Sequence, residues 1–332
     1  MIQKIQYVVT KETNPYKNIA LEEYLLKNTK PGSCVLYLWQ NRHTIVIGRN
    51  QNCWKECKVT KLEGDGGFLA RRLSGGGAVF HDLGNLNFTF LVPEEDYDVD
   101  RQLKVIVEAC RFLGICAEKT GRNDITVEGR KFSGNAFYKT EKKCYHHGTL
   151  LLRVDMENLS QYLNVSTDKL KAKGVSSVKS RVTNLCEYCP DITVELMTEK
   201  LIEAFEKVYG LKAEEIPIDS LPKKELEERT QFFGSKEWKY GNHLPFTFSC
   251  SKRFEWGDID LQLQVEKGNI VDVKIYSDAM EETFLLKWMD ALKKIPFRQQ
   301  DMIEKLENLA LENEVQKQMI KDMIALLKEQ EL

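Results

Sequence analysis

Arg71-Arg72-Leu73-Ser74-Gly75-Gly76-Gly77-Ala78-Val79-Phe80-His81-Asp82-Leu83-Gly84-Asn85 sets two arginines and three consecutive glycines before an apolar, strand-like stretch. Glycine carries no side chain, so such a triple can bring backbone N–H groups close to an anion. The arginines add fixed positive charge and forked donors suited to phosphate or carboxylate. The run therefore reads as a loop that holds an anionic ligand against a strand. The sequence has no Gly-Lys dipeptide, which excludes a Walker-type phosphate loop, and no G-x-G-x-x-G opens a helix after a strand.

Upstream, residues 14–29 read as a helix. Asn14 is placed to cap it, Pro15 suits its first turn, and Ile19, Ala20, Leu25 and Leu26 form an apolar face. Residues 35–39 and 44–47 read as strands separated by the polar turn Asn41-Arg42-His43. Downstream, 85–92 continues the sheet, and 99–113 has helical spacing stopped by Gly114. Thr120-Gly121-Arg122-Asn123-Asp124 is a polar turn opening a strand at 125–127. Glu128-Gly129 then leads to a strand at 131–133, and a further run follows at 148–152. A helix closes over 200–209, stopped by Gly210. The first six residues lack the apolar core of a signal peptide and predict an edge strand. Hairpins and helices without strict alternation predict an α+β domain rather than a doubly wound sheet.

The length of 332 residues suggests two domains. With 48 basic against 50 acidic residues, no general affinity for nucleic acid or an anionic membrane is expected. No apolar run approaches the ~20 residues needed to span a bilayer, so a cytoplasmic protein is expected. Composition shifts over 211–245. Beyond it, Ile259, Leu261, Leu263 and Val265 alternate, Gly268-Asn269 turns the chain, and Val271, Val273 and Ile275 alternate again. Two or three helices follow, broken at Ile295-Pro296, so a smaller α+β domain is expected from 246 to the end. The nine cysteines suit reduced thiols. Cys53 with Cys57 and Cys186 with Cys189 could together ligate zinc, but lack the turn glycines of a ribbon and read as ordinary thiols.

Three segments line up: the 71–85 run, the Gly121-Arg122-Asn123-Asp124 turn leading to Lys131, and Tyr145-His146-His147-Gly148-Thr149-Leu150-Leu151. With Arg130-Lys131-Phe132-Ser133-Gly134 and the phrase from Gly174 to Leu185, the chain resembles the lipoate-protein ligase A family of the biotin/lipoate ligase superfamily. The matches cover residue 21 to about 245. The resemblance implies an α+β fold, with a large mixed-sheet catalytic domain at 1–245 and an accessory domain at 246–332. It also implies a two-step reaction, in which lipoate attacks the α-phosphate of ATP to give lipoyl-adenylate and pyrophosphate. The lipoyl group then passes to a lysine of a lipoyl domain or glycine-cleavage H protein. A monomer acting without nucleic acid or membrane is expected.

The first step brings a carboxylate to a phosphate, so a cation must offset like charges. At ~4 Å, one lysine supplies roughly 4 kcal/mol at a surface-like dielectric. By the resemblance, Lys131 contacts lipoyl and phosphate oxygens. Arg72 contacts the adenylate, and Gly77, Ala78, Val79 and Phe80 line the nucleotide. Gly75 and Gly76 border the lipoyl chain and carboxylate. Asn123 and Asp124 face the phosphates, with Asp124 a candidate Mg²⁺ ligand, although an Asx turn would use the same residues. His147 is a candidate beside the acyl tunnel, while His81 is left out of the catalytic set. Trp39, Val46 and Phe80 are candidate apolar walls for the dithiolane tail. The basic segment 169–174 is a candidate lid, with Lys171 and Lys173 facing an acidic acceptor.

Two other readings share the superfamily or the motifs. A cysteine-dependent octanoyl or lipoyl transferase would need an activated thiolate, for which Cys144 is the candidate. A non-catalytic paralogue would bind lipoate or a carrier protein without turnover. A biotin ligase is disfavoured because the Gly-Arg-Gly-Arg signature is absent.

Overall fold

Alternation along the strand Asn85–Pro93 organises the larger part of the molecule. Leu86, Phe88, Phe90 and Val92 enter an apolar core, whereas Asn85, Asn87 and Thr89 are buried on the opposite face. The computed structural model describes residues 1–120, 124–164, 182–241 and 247–330, except the side chains of 159 and 160. The chain forms two compact units: Met1–Val46 with Trp54–Arg72 and Val79–Lys239, and Ile47–Cys53 with Leu73–Ala78 and Tyr240–Leu332.

In the first unit, chain order gives β1 (Lys4–Val9), β2 (Ser33–Trp39), β3 (Thr44–Ile47), β4 (Phe68–Arg71), β5 (Val79–His81) and β6 (Asn85–Pro93). There follow β7 (Ala117–Thr120), β8 (Asp124–Val127), β9 (Arg130–Lys139), β10 (Lys143–Leu151) and β11 (Ala213–Glu215). Eight strands form one sheet in the order β11-β1-β2-β6-β10-β9-β8-β7, and β4-β3-β5 form another. β1 runs parallel to β2 and β11 while the other pairs are antiparallel, so the large sheet is mixed, as expected of the α+β fold.

Three expectations change. β1 is internal rather than an edge, because the three-residue β11, too short and polar to announce itself, pairs along its outer side. The runs at 35–39 and 44–47 lie in different sheets, with His43 at φ 37° in the turn that joins them. The short strands expected at 131–133 and 148–152 are pieces of the longer pair β9 and β10.

The helices follow their caps. Asn14 accepts from Tyr16 N at 2.9 Å and starts Pro15–Asn28. Gly114 and Gly210, at φ 73° and 66°, follow Val99–Phe112 and Val194–Tyr209. The second of these begins earlier than expected because Thr193 Oγ1 accepts from Leu196 N at 3.1 Å. Both helices cover the apolar face of the large sheet through Val105, Ile106, Ala109, Leu201 and Phe205. Each phenylalanine fully buried there is worth about 1.5–3 kcal/mol relative to exposure.

The second unit pairs β12 (Phe248–Phe254), β13 (Gly257–Glu266) and β14 (Asn269–Ser277) antiparallel. Its core joins them to helices Glu282–Leu292, Gln299–Glu307 and Glu314–Lys328 around Trp288, Phe284 and Met323. The hairpin at 259–275 forms as expected, with one shift. The pairing slips between Gln264 and Val265, leaving Val271 exposed while Ile270 takes the buried place. Among the described residues no helix is long and apolar enough to cross a membrane.

Candidate active site

Lys131 reaches the polar face of the large sheet through a β-bulge. Asp124 pairs with Gly134 and Ile125 with Ser133, but Thr126 pairs with Lys131, leaving Phe132 as the extra residue. Phe132 and Ser133 are both fully buried, with Phe132 in the apolar core. Strict alternation would have put Lys131 on the face of Ser133; the bulge turns it to the face of Asp124 and Gly134. There its Nζ lies 2.6 Å from Asp124 Oδ1, with both side chains about four-fifths buried. Thr183 N donates to the Lys131 carbonyl at 2.9 Å, which ties the bulge to a neighbouring segment.

The same face carries a buried polar chain across β2, β6 and β10. Trp39 Nε1 donates to Thr89 Oγ1 at 3.1 Å, and the Thr89 hydroxyl donates to Glu22 Oε1 at 2.7 Å. His147 Nδ1 lies 2.8 Å from that oxygen, which places its proton on Nδ1. Glu22 is fully buried, and its Oε2 has no hydrogen-bond partner among the described residues. Motif matching misses Glu22. The available signal was a carboxylate three residues after Ile19 and four before Leu26, on the apolar face of the helix Pro15–Asn28.

His81, left out above, belongs to a second buried chain. Tyr37 Oη donates to Asn18 Oδ1 at 3.1 Å, and Asn18 Nδ2 to Asn41 Oδ1 at 3.0 Å. Asn41 Nδ2 then lies 3.2 Å from His81 Nδ1. Burial, reinforced by the Arg72 charge, pushes the His81 pKa down to about 3, so the ring is neutral and accepts on Nδ1. The proton is then on Nε2, which is buried without a partner among the described residues. The Trp39 and His81 rings meet edge-on at 6.4 Å.

Arg72 is buried and donates to the Val46 carbonyl at 3.1 Å. Arg71 turns instead to the carbonyls of Trp238 and Lys239, at 2.9 Å each, and so pins a short helix. Val79 pairs with Val46 and Phe80 with Ile45. Phe80 therefore faces away from His81 and packs on Tyr162 and His43, with centroids 5.9 and 5.7 Å apart.

The glycine run differs from the open anion loop expected of it. In the second unit Gly75 N donates to Glu282 Oε2 at 3.3 Å, and Gly76 N to the Ala279 carbonyl at 3.1 Å. A Cβ at Gly75 would stand 2.4 Å from the Ala279 oxygen, so backbone approaches backbone there as only glycine allows. Gly76 has φ 90°, Gly77 is exposed and Ala78 half-buried. Burial pushes the Glu282 pKa up to about 8, so its carboxyl is mostly protonated at neutral pH.

Cys144 lies in the apolar core, and burial pushes its thiol up to about 11, the reverse of activation. It pairs with Lys139, eight positions from Lys131 on the same strand. At ~3.3 Å per residue that is roughly 26 Å, so closeness in sequence is undone by the hairpin. Cys186 and Cys189 are half-buried against the same core. Among the described residues no cluster of three His, Cys, Asp or Glu side chains could hold a metal. Asn123, the 169–174 segment with Lys171 and Lys173, and the phrase from 174 to 181 lie outside the described residues.

Residues 14–206 match the family model described as Lipoyl protein ligase A/B catalytic domain, and 243–327 that described as Bacterial lipoate protein ligase C-terminus. A Lipoate-protein ligase A of Psychrobacter cryohalolentis is 42% identical over 314 residues, covering 92% of this chain and 93% of its own. The structure of P. falciparum LipL1 in complex with lipoate is 30% identical with a TM-score of 0.84. It covers 98% of this chain and 100% of that one. A lipoate-protein ligase A bound with ATP, 23% identical over 73% of this chain and 99% of its own, shares the fold at a TM-score of 0.60.

Proposed function

Because the chain belongs to the lipoyl protein ligase A/B catalytic family, we propose that it activates lipoate with ATP and passes the lipoyl group to a protein lysine. A lipoate carboxylate oxygen attacks the α-phosphorus, the Pα–O bond to the β-phosphate breaks, and pyrophosphate leaves. The acceptor's neutral amine then attacks the acyl carbon and loses a proton, and AMP departs with the C–O bonding pair. The observation that carries this reading is the Lys131 ammonium, bulged onto the polar face and paired there at 2.6 Å with one carboxylate.

In that role Lys131 offsets the charge of the two approaching anions and stays with the phosphoryl oxygens as charge moves to the leaving group. Arg72 and the backbone of Gly77, Ala78, Val79 and Phe80 contact the adenylate. Gly75 and Gly76 border the lipoyl chain, and Trp39 and His147 border its apolar tail. Asn123 and Asp124 face the phosphates. Asp124 already faces a cation, which fits a carboxylate that would hold the Mg²⁺ entering with the nucleotide and neutralising its phosphates. The catalytic part spans 1–245, the accessory part 246–332, and the enzyme works as a cytoplasmic monomer. Acceptors are lipoyl domains of 2-oxoacid dehydrogenases and glycine-cleavage H protein.

The test is lipoate- and ATP-dependent pyrophosphate release, followed by transfer to each acceptor separately. Both should occur with the native chain. Lipoate binding without pyrophosphate release would instead favour a non-catalytic carrier-binding protein.

A further inference from the structure

Resting on the ligase reading above, we propose that Gly134 is a positioning residue whose bare strand face seats the Lys131 ammonium. A Cβ built at Gly134 would lie 2.8 Å from Lys131 Nζ and 3.0 Å from its Cε. The next nearest atom, Thr149 Oγ1, is 4.0 Å away. Asp124, the register partner of Gly134, closes the seat by holding Nζ at 2.6 Å. The lysine thus lies back over the strand it comes from, in the volume that any other residue's side chain would fill.

Among the described residues no other feature of the fold asks for glycine here. Gly134 is not among the glycines with positive φ, so its backbone suits any residue. Glycine inside a strand weakens it, through lost side-chain packing and a larger entropy cost. Gly148 makes the contrast. A Cβ there would meet Phe88 at 2.6 Å, Asn135 at 2.7 Å and the Gly134 carbonyl at 2.8 Å, so packing alone explains it. At Gly134 the neighbour that must give way is the mobile end of one side chain. A methyl group would therefore spare the sheet and push the ammonium off Asp124.

The experiment compares Gly134→Ala with the native chain. The expected result is a fall of ~10- to 100-fold in kcat/KM for lipoate-dependent pyrophosphate release, the range for a misplaced catalytic group. The melting temperature should be unchanged or raised. Lipoate binding should weaken in Gly134→Ala but change less than about twofold when the same substitution is made in Lys131→Ala, because the displaced group is already gone. Native turnover, or an equal loss of binding in both backgrounds, would overturn the seat. Lys131→Arg leaves Gly134 intact and so tests the seat even where the alanine variant misfolds. Its charge is kept but its planar head is too broad, so adenylation should drop; full activity counts against the proposal. A native chain with no lipoate-dependent pyrophosphate release would speak against the ligase reading instead. The seat would then be read from Lys131 acylation by an amine-reactive ester, which should quicken several-fold in Gly134→Ala; an unchanged rate overturns it.

Discussion

His146 and His147 are adjacent on one strand and have opposite surroundings. His146 faces the apolar core, with its ring between Phe90 and Phe137 at 6.0 and 5.1 Å and its nitrogens near Gln102 and Asn135. Burial pushes its pKa down to about 3, so it is a neutral structural group. His147 faces the polar side, where Glu22 holds its Nδ1. Lys131, Asp124, Trp39 and Thr89 lie on that second face, with Glu22 bonded to it. The difference teaches that strand parity, more than residue type, separates the apolar core from the polar face of this sheet.

The comparison breaks most sharply where an aromatic ring leaves the apolar face. Phe90→Ala should cost about 3–5 kcal/mol of stability in a denaturant melt. Any folded fraction should keep its affinity for lipoate. Lys131→Ala should do the converse, lowering pyrophosphate release by ~10²–10³-fold, as when a charge-stabilising donor is removed, with the melt nearly unmoved. Loss of stability without loss of rate would dissolve the distinction between the faces.

The second unit sharpens the point through pH. The Glu282 carboxyl is pushed up to about 8 when folded, against an ordinary 4.5. Between those values the folded chain holds the extra proton, so stability falls as pH rises from 4.5 through 8. Glu282→Gln should therefore stabilise more at pH 8 than at pH 5 by thermal melt, and a pH-independent effect would contradict it. The smallest effect is expected at Cys144. Cys144→Ser should leave adenylation and transfer within about twofold, since its thiol is buried and unactivated. Abolished transfer with intact adenylation would restore the thioester transferase.

Helix boundaries marked by Asn14, Gly114 and Gly210 were legible because caps are local. The strict alternation of Ile259, Leu261 and Leu263 was legible for the same reason. Glu22 and His81 were not, because a buried carboxylate and an orphaned ring nitrogen depend on partners far along the chain. Whether Cys144 could reach Lys131 was not legible either, since closeness in sequence counts residues and a hairpin does not.

By itself the sequence determined the α+β class, the caps and the motifs that place Lys131, Arg72 and the glycine run in one family, because these depend on residue type and short spacing. Only the tertiary structure decided the face on which Lys131 emerges. A one-residue bulge at Phe132 inverts strand parity, and no local signal marks it. Likewise the triple glycine reads as an open anion loop, but its first two N–H groups meet Ala279 and Glu282 from two hundred residues away. Long-range pairing set both outcomes, since a backbone donor takes whichever acceptor the fold brings to it.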